Sequence, residues 1–435
     1  MTPYYEQGNV TLHLGNCFDI LRDMEDCSID AVVADPPYGL EFQGENWDAP
    51  WKTDRRQIFD GTLHDDRNTP FSRSKVRYGL GASYGASNVQ MVALQQWHHA
   101  WAAEALRVLK PGGYLLSFGG ARTYHRLACA IEDAGFEIRD QVMWVYGNGY
   151  PKSLNVSKAI SKVDGKKLDV QDWSGWGTAL KPSHEPICVA RKPLDGTVAA
   201  NVLKWGTGAI NVDGGRIKHV TVAGGNLSVN SHLRDHINGG NGGNIFAHEQ
   251  DRRINTPVDV GRFPSNFIHD GSEEVLACFP RAGPTVDRLP VSRDGESSSE
   301  KRYADTGGTS FSMTPGPRRL DEGSAARFFY CAKASSEDRE ENMDGAIKND
   351  HPTVKPLRLM RYLCRLVTPP GGTILDPFVG SGTTLKAARA EGFRSIGIEM
   401  NQHYAEIAVK RLAQDVFLFP SEEEVADADV PDTLG

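Results

Sequence analysis

Ile29-Asp30-Ala31-Val32-Val33-Ala34-Asp35-Pro36-Pro37-Tyr38 opens the reading of this chain. The first six residues form a short apolar run rich in β-branched side chains, the pattern of a buried strand. Pro36 and Pro37 cannot extend it, because neither offers an N–H and each fixes its own φ. Pro36 also pushes Asp35 toward an extended conformation. A stiff turn is therefore expected at the strand's carboxyl end, with a carboxylate at one side and an aromatic ring at the other. In open α/β sheets that edge is where ligands bind. Taken by itself, the turn is equally compatible with a plain Pro-Pro end to a core strand.

A distant stretch gives the turn its context. Gly372-Thr373-Ile374-Leu375-Asp376-Pro377-Phe378-Val379-Gly380-Ser381-Gly382-Thr383-Thr384 reads as strand, glycine-rich turn and helix start, and Leu385 to Ala390 continue the helix. Glycines let the backbone approach a ligand closely, and a helix start offers unpaired N–H groups. A further strand, Ser395 to Ile398, ends in Glu399. Glu399 follows Gly380 at about the 20-residue offset at which an acid meets ribose hydroxyls in nucleotide-binding folds. The dinucleotide fingerprint is excluded because the third glycine is missing, and the P-loop because no Gly-Lys-Ser/Thr follows.

Asp35-Pro36-Pro37-Tyr38, His351-Pro352-Thr353-Val354-Lys355-Pro356 and Asp376 to Thr384 together resemble the S-adenosylmethionine-dependent DNA amino-methyltransferases. The catalytic motif precedes the cofactor motif, the order of the family's β-group. The resemblance spans residues 5–50, 91–160 and 325–415. It implies a Rossmann-like, doubly wound α/β sheet with a loop-rich target-recognition region inserted. It also implies S-adenosylmethionine as cofactor and double-stranded DNA as partner, with a homodimer and a separate restriction endonuclease as further expectations. Asp35, Pro36, Pro37 and Tyr38 are then the catalytic residues. Asn16, Cys17, His351, Thr353, Lys355, Asp376, Phe378, Gly380, Ser381, Gly382, Thr383 and Glu399 are the cofactor-binding set. Within it Lys355 would neutralise the methionine carboxylate and Thr353 would donate to it. Asn16 stands where the family carries an acid for the adenine amino group; its side-chain carbonyl accepts the same bond without charge. A helix N-cap is its alternative role.

The implied reaction needs no covalent enzyme nucleophile. An exocyclic amino nitrogen has its lone pair delocalised into the ring, and the Asp35 carboxylate and Pro36 carbonyl can turn that pair outward by accepting the amino hydrogens. The base must first leave the duplex, with Tyr38 stacking on it. An aspartate opening the motif leans toward adenine-N6; cytosine-N4 is the alternative. Cytosine-C5 chemistry lacks its Pro-Cys motif, and a nicotinamide-dependent dehydrogenase would leave Asp35 to Tyr38 without a role. A catalytically inactive DNA-binding relative would be expected to carry damaged motifs.

The rest of the chain fits around these motifs. At 435 residues the chain is long enough for one large or two moderate domains. The seven cysteines are scattered with no C-x-x-C pair, which argues against zinc and against a disulfide framework and fits the cytoplasm. The polar N-terminus and the lack of a long apolar run point the same way. Net charge is −8, yet over 151–330 there are 23 Lys and Arg against 20 Asp and Glu, and over 52–90 there are 7 against 4. The basic excess outside the motif-bearing body suits a phosphate-facing surface.

The expected division is a catalytic half at 1–155 with a mobile insertion at 52–90, and a target-recognition region at 156–325. A cofactor-binding half at 326–418 and an acidic disordered tail at 419–435 follow. Arg55, Arg56, Arg252, Arg253, Arg262, Arg318 and Arg319 are candidate phosphate or guanine contacts. Helices are expected over Trp97–Leu109, Arg122–Ala134 and Leu357–Val367, and strands over Val10–Leu14, Tyr114–Phe118 and Glu137–Val145, an alternation that indicates a parallel sheet. Ser183-His184-Glu185 leads into a further strand, and a lone His-Glu pair is no H-e-x-x-H metal site.

Overall fold

A computed structural model describes residues 2–40, 48, 88–149, 151, 153–163, 171–217, 261–282, 323–332, 338 and 349–413. The chain divides into two compact units, one formed by 1–215, 265–275 and 330–435, the other by 216–264 and 276–329.

The first unit carries a ten-stranded mixed sheet. Its strands are β1 (Tyr5–Gln7), β2 (Val10–Leu14), β3 (Ile29–Ala34), β4 (Leu109–Phe118), β5 (Glu137–Val145), β6 (His184–Arg191) and β7 (Phe267–His269), followed by β10 (Tyr330–Cys331), β11 (Thr373–Asp376) and β12 (Arg394–Glu399). The spatial order is β1-β2-β12-β11-β3-β4-β6-β5-β7-β10. From β2 to β4 all neighbours are parallel. β6 runs antiparallel to both β4 and β5, so the sheet is mixed rather than wholly parallel.

Every residue of β3 is buried, as its apolar run requires. Successive side chains point to opposite faces. Ala31 and Val33, with Leu116 and Val189, pack on helix α7 (Leu357–Val367) through Leu359, Met360 and Leu363. Val32 and Ala34, with Leu115 and Ala190, pack on α2 (Asn88–Val108) and α3 (Tyr124–Asp133) through Trp97, Trp101 and Ile131. Helices thus cover both faces, the doubly wound arrangement. Asp30 ties three strands together: it pairs with Lys110 at 2.6 Å and accepts from the Thr373 N–H at 2.8 Å.

Among the described residues the remaining α-helices of this unit are α1 (Cys17–Asp23), α4 (Val156–Val163), α5 (Val198–Trp205), α8 (Thr383–Ala390) and α9 (Gln402–Leu412), with a single turn, α6 (Glu273–Leu276), at its border. α2 starts nine residues before the expected Trp97 and ends at Val108, one residue before the expected Leu109, which already opens β4. β6, the strand expected after Ser183, lies in this sheet, and the second unit begins at 216.

In that second unit β8 (Arg281–Ala282) pairs with β9 (Gly323–Ser324). The Arg262 guanidinium lies 3.4 Å from the Phe328 ring centroid, with Arg327 at 4.4 Å from the same ring. Arg55, Arg56, Arg252, Arg253, Arg318 and Arg319, residues 52–87 of the insertion expected at 52–90, and the tail expected at 419–435 lie outside the described residues, while 88–90 begin α2. Among the described residues no helix is long and apolar enough to cross a membrane.

Candidate active site

Because β2, β12, β11, β3 and β4 are parallel, their carboxyl ends share one edge of the sheet. That edge collects Asp376 and Glu399, the last residues of β11 and β12, with Asn16 and Asp35 from the segments that leave β2 and β3. β6 is reversed, so it brings its amino end to the same edge: Phe118 is level with Ile187, and Glu185 stands two residues beyond. A cleft of about 250 Å³ opens there, lined by Asp35, Pro36, Tyr38, Lys355, Phe378 and Glu399 among others. The two motifs therefore face one cavity.

The Asp35 turn is built into a four-residue cluster. The Tyr38 hydroxyl lies 2.9 Å from Asp35 Oδ1 and 2.9 Å from Glu185 Oε2. Lys355 Nζ is 2.8 Å from Asp35 Oδ2 and 3.0 Å from Glu185 Oε2. Thr123 Oγ1 donates to the Tyr38 carbonyl at 2.7 Å, holding the turn against the loop after β4. Gly120 makes room for the ring: a Cβ there would sit 3.1 Å from Tyr38 Cδ2.

Lys355 is only 6% exposed. Burial alone would drive its pKa down, but the Asp35 and Glu185 carboxylates outweigh that and raise it, so the ammonium keeps its charge. Burial, and then those same two carboxylates, push the Tyr38 phenol well above its ordinary range. One cation faces two carboxylates, leaving the cluster acceptor-rich at the cleft.

Two residues read from the sequence thus have partners that the reading did not include. Lys355, expected at the cofactor's carboxylate, is engaged by Asp35 and Glu185. Tyr38 lines the cleft, but its hydroxyl is anchored by two carboxylates. Glu185 was read only as the head of a strand, with no role in the site. Its one sequence signal was an acid opening an otherwise buried apolar strand.

The glycine-rich turn forms the other half. Gly380 adopts φ +53°, and a Cβ there would meet His351 Nε2 at 2.6 Å. Its N–H donates to Glu399 Oε2 at 2.8 Å, while Glu399 Oε1 accepts from the Asn401 N–H at 2.7 Å. The Phe378 ring packs against Trp97 and Trp101, with centroids 5.5 and 5.3 Å away, and its N–H donates to Asp376 Oδ1 at 2.9 Å. Burial pushes Asp376 up to about 7 against the hydrogen bonds from Thr384 and the Phe378 N–H. Burial likewise raises Glu399 to about 7 against its backbone N–H donors.

Asn16 Oδ1 accepts from the Phe18 N–H at 2.9 Å, so it caps α1 at the cleft wall, with Cys17 beside it. His351 and Thr353 also line the cleft. The Ser381 and Thr383 hydroxyls accept from Arg411 at 2.9 and 3.1 Å, which ties the turn to α9. Gly382, at φ +89°, caps α8. The bare Gly380 backbone, the Phe378 wall and the Glu399 carboxylate together suit a nucleoside whose ribose hydroxyls reach an acid, and so fit S-adenosylmethionine.

The type II methyltransferase M.HindIII of Haemophilus influenzae is 24% identical over 395 residues, covering 90% of this chain and 91% of its own. The DNA adenine methyltransferase YhdJ of Escherichia coli is 43% identical over 77 residues, 18% of this chain and 26% of its own. The solved structure of the PvuII DNA methyltransferase (cytosine-N4-specific) aligns over 98% of this chain and 93% of its own, at 14% identity and a TM-score of 0.44. Over residues 29–410 the chain matches the model of the N6/N4 DNA methylases, and it belongs to that family of S-adenosylmethionine-dependent enzymes that methylate DNA.

Proposed function

We propose that the chain is a site-specific DNA methyltransferase acting on the N6 amino group of adenine in double-stranded DNA, with Asp35 as its principal catalytic residue. The observation that carries this reading is that Asp35 and the Gly380–Glu399 turn border one cleft. Asp35 opening the motif, and the adenine activity in the printed name of YhdJ, support adenine over cytosine-N4.

Bound S-adenosylmethionine supplies an electrophilic sulfonium methyl. Gly380, Phe378 and Glu399 would hold its nucleoside, and His351 and Thr353 line the same cavity. On the substrate side, the Asp35 carboxylate and the Pro36 carbonyl accept the two amino hydrogens and turn the nitrogen's lone pair out of the ring plane. As positive charge grows on that nitrogen, Asp35 stabilises it and is the base that receives the proton released. Lys355 and Tyr38 fix the carboxylate from its other side, so its orientation is set before substrate arrives. Glu185 acts through Lys355 and Tyr38 as a positioning residue.

The test is transfer of tritiated methyl groups to unmethylated DNA, with nucleoside analysis of the product and methylation-aware sequencing of DNA from expressing cells. N6-methyladenine at one short recognition sequence is the expected result. N4-methylcytosine would overturn the choice of base, and no incorporation would overturn the activity. The type II name of M.HindIII supports a paired restriction endonuclease. Such a partner would cut the same sequence only when it is unmethylated.

A further inference from the structure

Between β5 and β6 the chain makes an excursion, 146–183, that leaves and re-enters the sheet beside Glu185. Val145 is paired with His184 at its root. The Tyr146 N–H donates to the Ser183 carbonyl at 2.9 Å. Further out, Ser153 Oγ accepts from the Thr178 N–H at 2.9 Å, and the Leu154 N–H donates to Thr178 Oγ1 at 3.0 Å. The Val156 N–H donates to the Trp176 carbonyl at 3.1 Å, just where α4 begins. Among the described residues the two legs are thus fastened to each other at Tyr146–Ser183, at Ser153 and Leu154 to Thr178, and at Val156–Trp176, which makes this part of the segment an arm.

What the arm displays has no use in the catalytic cluster. Trp173 and Trp176 form an edge-to-face pair with ring centroids 5.4 Å apart, and they are 45% and 59% exposed. Large aromatic rings in water are costly, and a built pair of them marks a binding surface. The excursion holds six lysines against three aspartates, in a chain whose net charge is −8. Lys158 and Lys162 of α4 are both exposed. Exposed aromatic rings interleaved with lysines suit a nucleic acid, whose bases stack on the rings while its phosphates meet the ammonium groups. Continuity with the catalytic edge names which nucleic acid: the duplex from which a base has been drawn.

We propose that the 146–183 arm is a DNA-binding element whose Trp173–Trp176 pair stacks on bases uncovered by extrusion of the target, while Lys158 and Lys162 hold the adjoining phosphates. This rests on the cleft at Asp35 being the site that receives the base.

The test uses the full chain and two fluorescein-labelled duplexes of one sequence, fully paired or with a short central bubble, read by anisotropy. Trp173→Ala/Trp176→Ala should weaken binding to the bubble on the order of tenfold and spare the paired duplex. Lys158→Ala/Lys162→Ala should weaken both and flatten the salt dependence by about two counterions. Unchanged affinity of S-adenosylhomocysteine serves as the folding control. Wild-type affinity for the bubble in a folded tryptophan variant would overturn the proposal. So would a change from dimer to monomer in sedimentation velocity, which assigns the pair to a contact between copies of the chain. Methyl incorporation by the wild type separates the two failures: if it is present, only the arm is refuted; if it is absent, the parent reading falls as well.

Discussion

Lys355 Nζ stands 2.8 Å from Asp35 Oδ2, bringing the helix-entry segment before α7 onto the turn that ends β3. The same ammonium lies 3.0 Å from Glu185. Removing it as Lys355→Met leaves two carboxylates and a phenol facing each other with no cation among them. Loss of one partner from such a buried set costs about 3–5 kcal/mol. Glu185→Gln in the same chain removes the surplus negative charge, so the double variant should recover part of that loss in urea unfolding. Strictly additive losses would mean that the three groups are not coupled.

Asp35→Ala separates chemistry from cofactor binding. It leaves Lys355 and Tyr38 with Glu185, so the cluster keeps a partner for its cation. Turnover should fall by about 10²–10³-fold, the scale of losing one oriented charge-stabilising group. S-adenosylhomocysteine affinity by calorimetry should stay within about twofold, below 0.5 kcal/mol on the usual free-energy scale. Methylation near the wild-type rate would remove Asp35 from its proposed role.

How much of this was legible in the sequence depended on whether the signal was local. The end of β3 and the glycine turn after β11 each announce themselves within a dozen residues, because proline, glycine and β-branched runs act on their own backbone, and Glu399 follows from its spacing to that turn. Glu137–Val145 and Leu357–Val367 have the bounds their patterns predict. Glu185 was not legible, because its role depends on β6 running antiparallel to β4. Strand direction is decided by pairing across the sheet, which no window of the sequence contains. The same holds for Lys355, whose partners come from β3 and β6, and for Ser381 and Thr383, whose hydroxyls meet an arginine on α9.

Gly380→Ala tests the cradle. Gly380 sits at φ +53°, a region L side chains enter at a cost, and the new methyl would lie 2.6 Å from His351 Nε2. His351 is packed edge-on against Tyr404, with ring centroids 4.7 Å apart, so its retreat is restricted. The backbone strain alone costs about 1–2 kcal/mol. Cofactor affinity should fall at least tenfold while the sheet's thermal midpoint moves by only a few degrees. Equal affinity for S-adenosylhomocysteine in wild type and variant would show that the turn does not carry the nucleoside.

Glu399 predicts a pH dependence of definite sign. In the free protein its pKa is raised to about 7, mainly by burial, so the folded state holds a proton that the unfolded chain has already lost. Its contribution to stability is therefore full at low pH and is lost as pH rises through about 7. In the proposed ribose contact cofactor binding runs the other way, because the ionised carboxylate accepts from two hydroxyls better than the protonated acid does. Affinity for S-adenosylhomocysteine should rise as pH increases from 6 to 8, by up to about tenfold per unit below the pKa. Glu399→Gln should bind more weakly at pH 8 and show a flatter profile. It should also lose less thermal stability than wild type between pH 6 and 8. Asp376, raised to about 7 by burial and in part by the Glu399 charge itself, titrates over the same range, so both proteins are compared in an Asp376→Asn background. Parallel profiles for wild type and variant would place the titration elsewhere and leave Glu399 as a backbone anchor for Gly380 and Asn401.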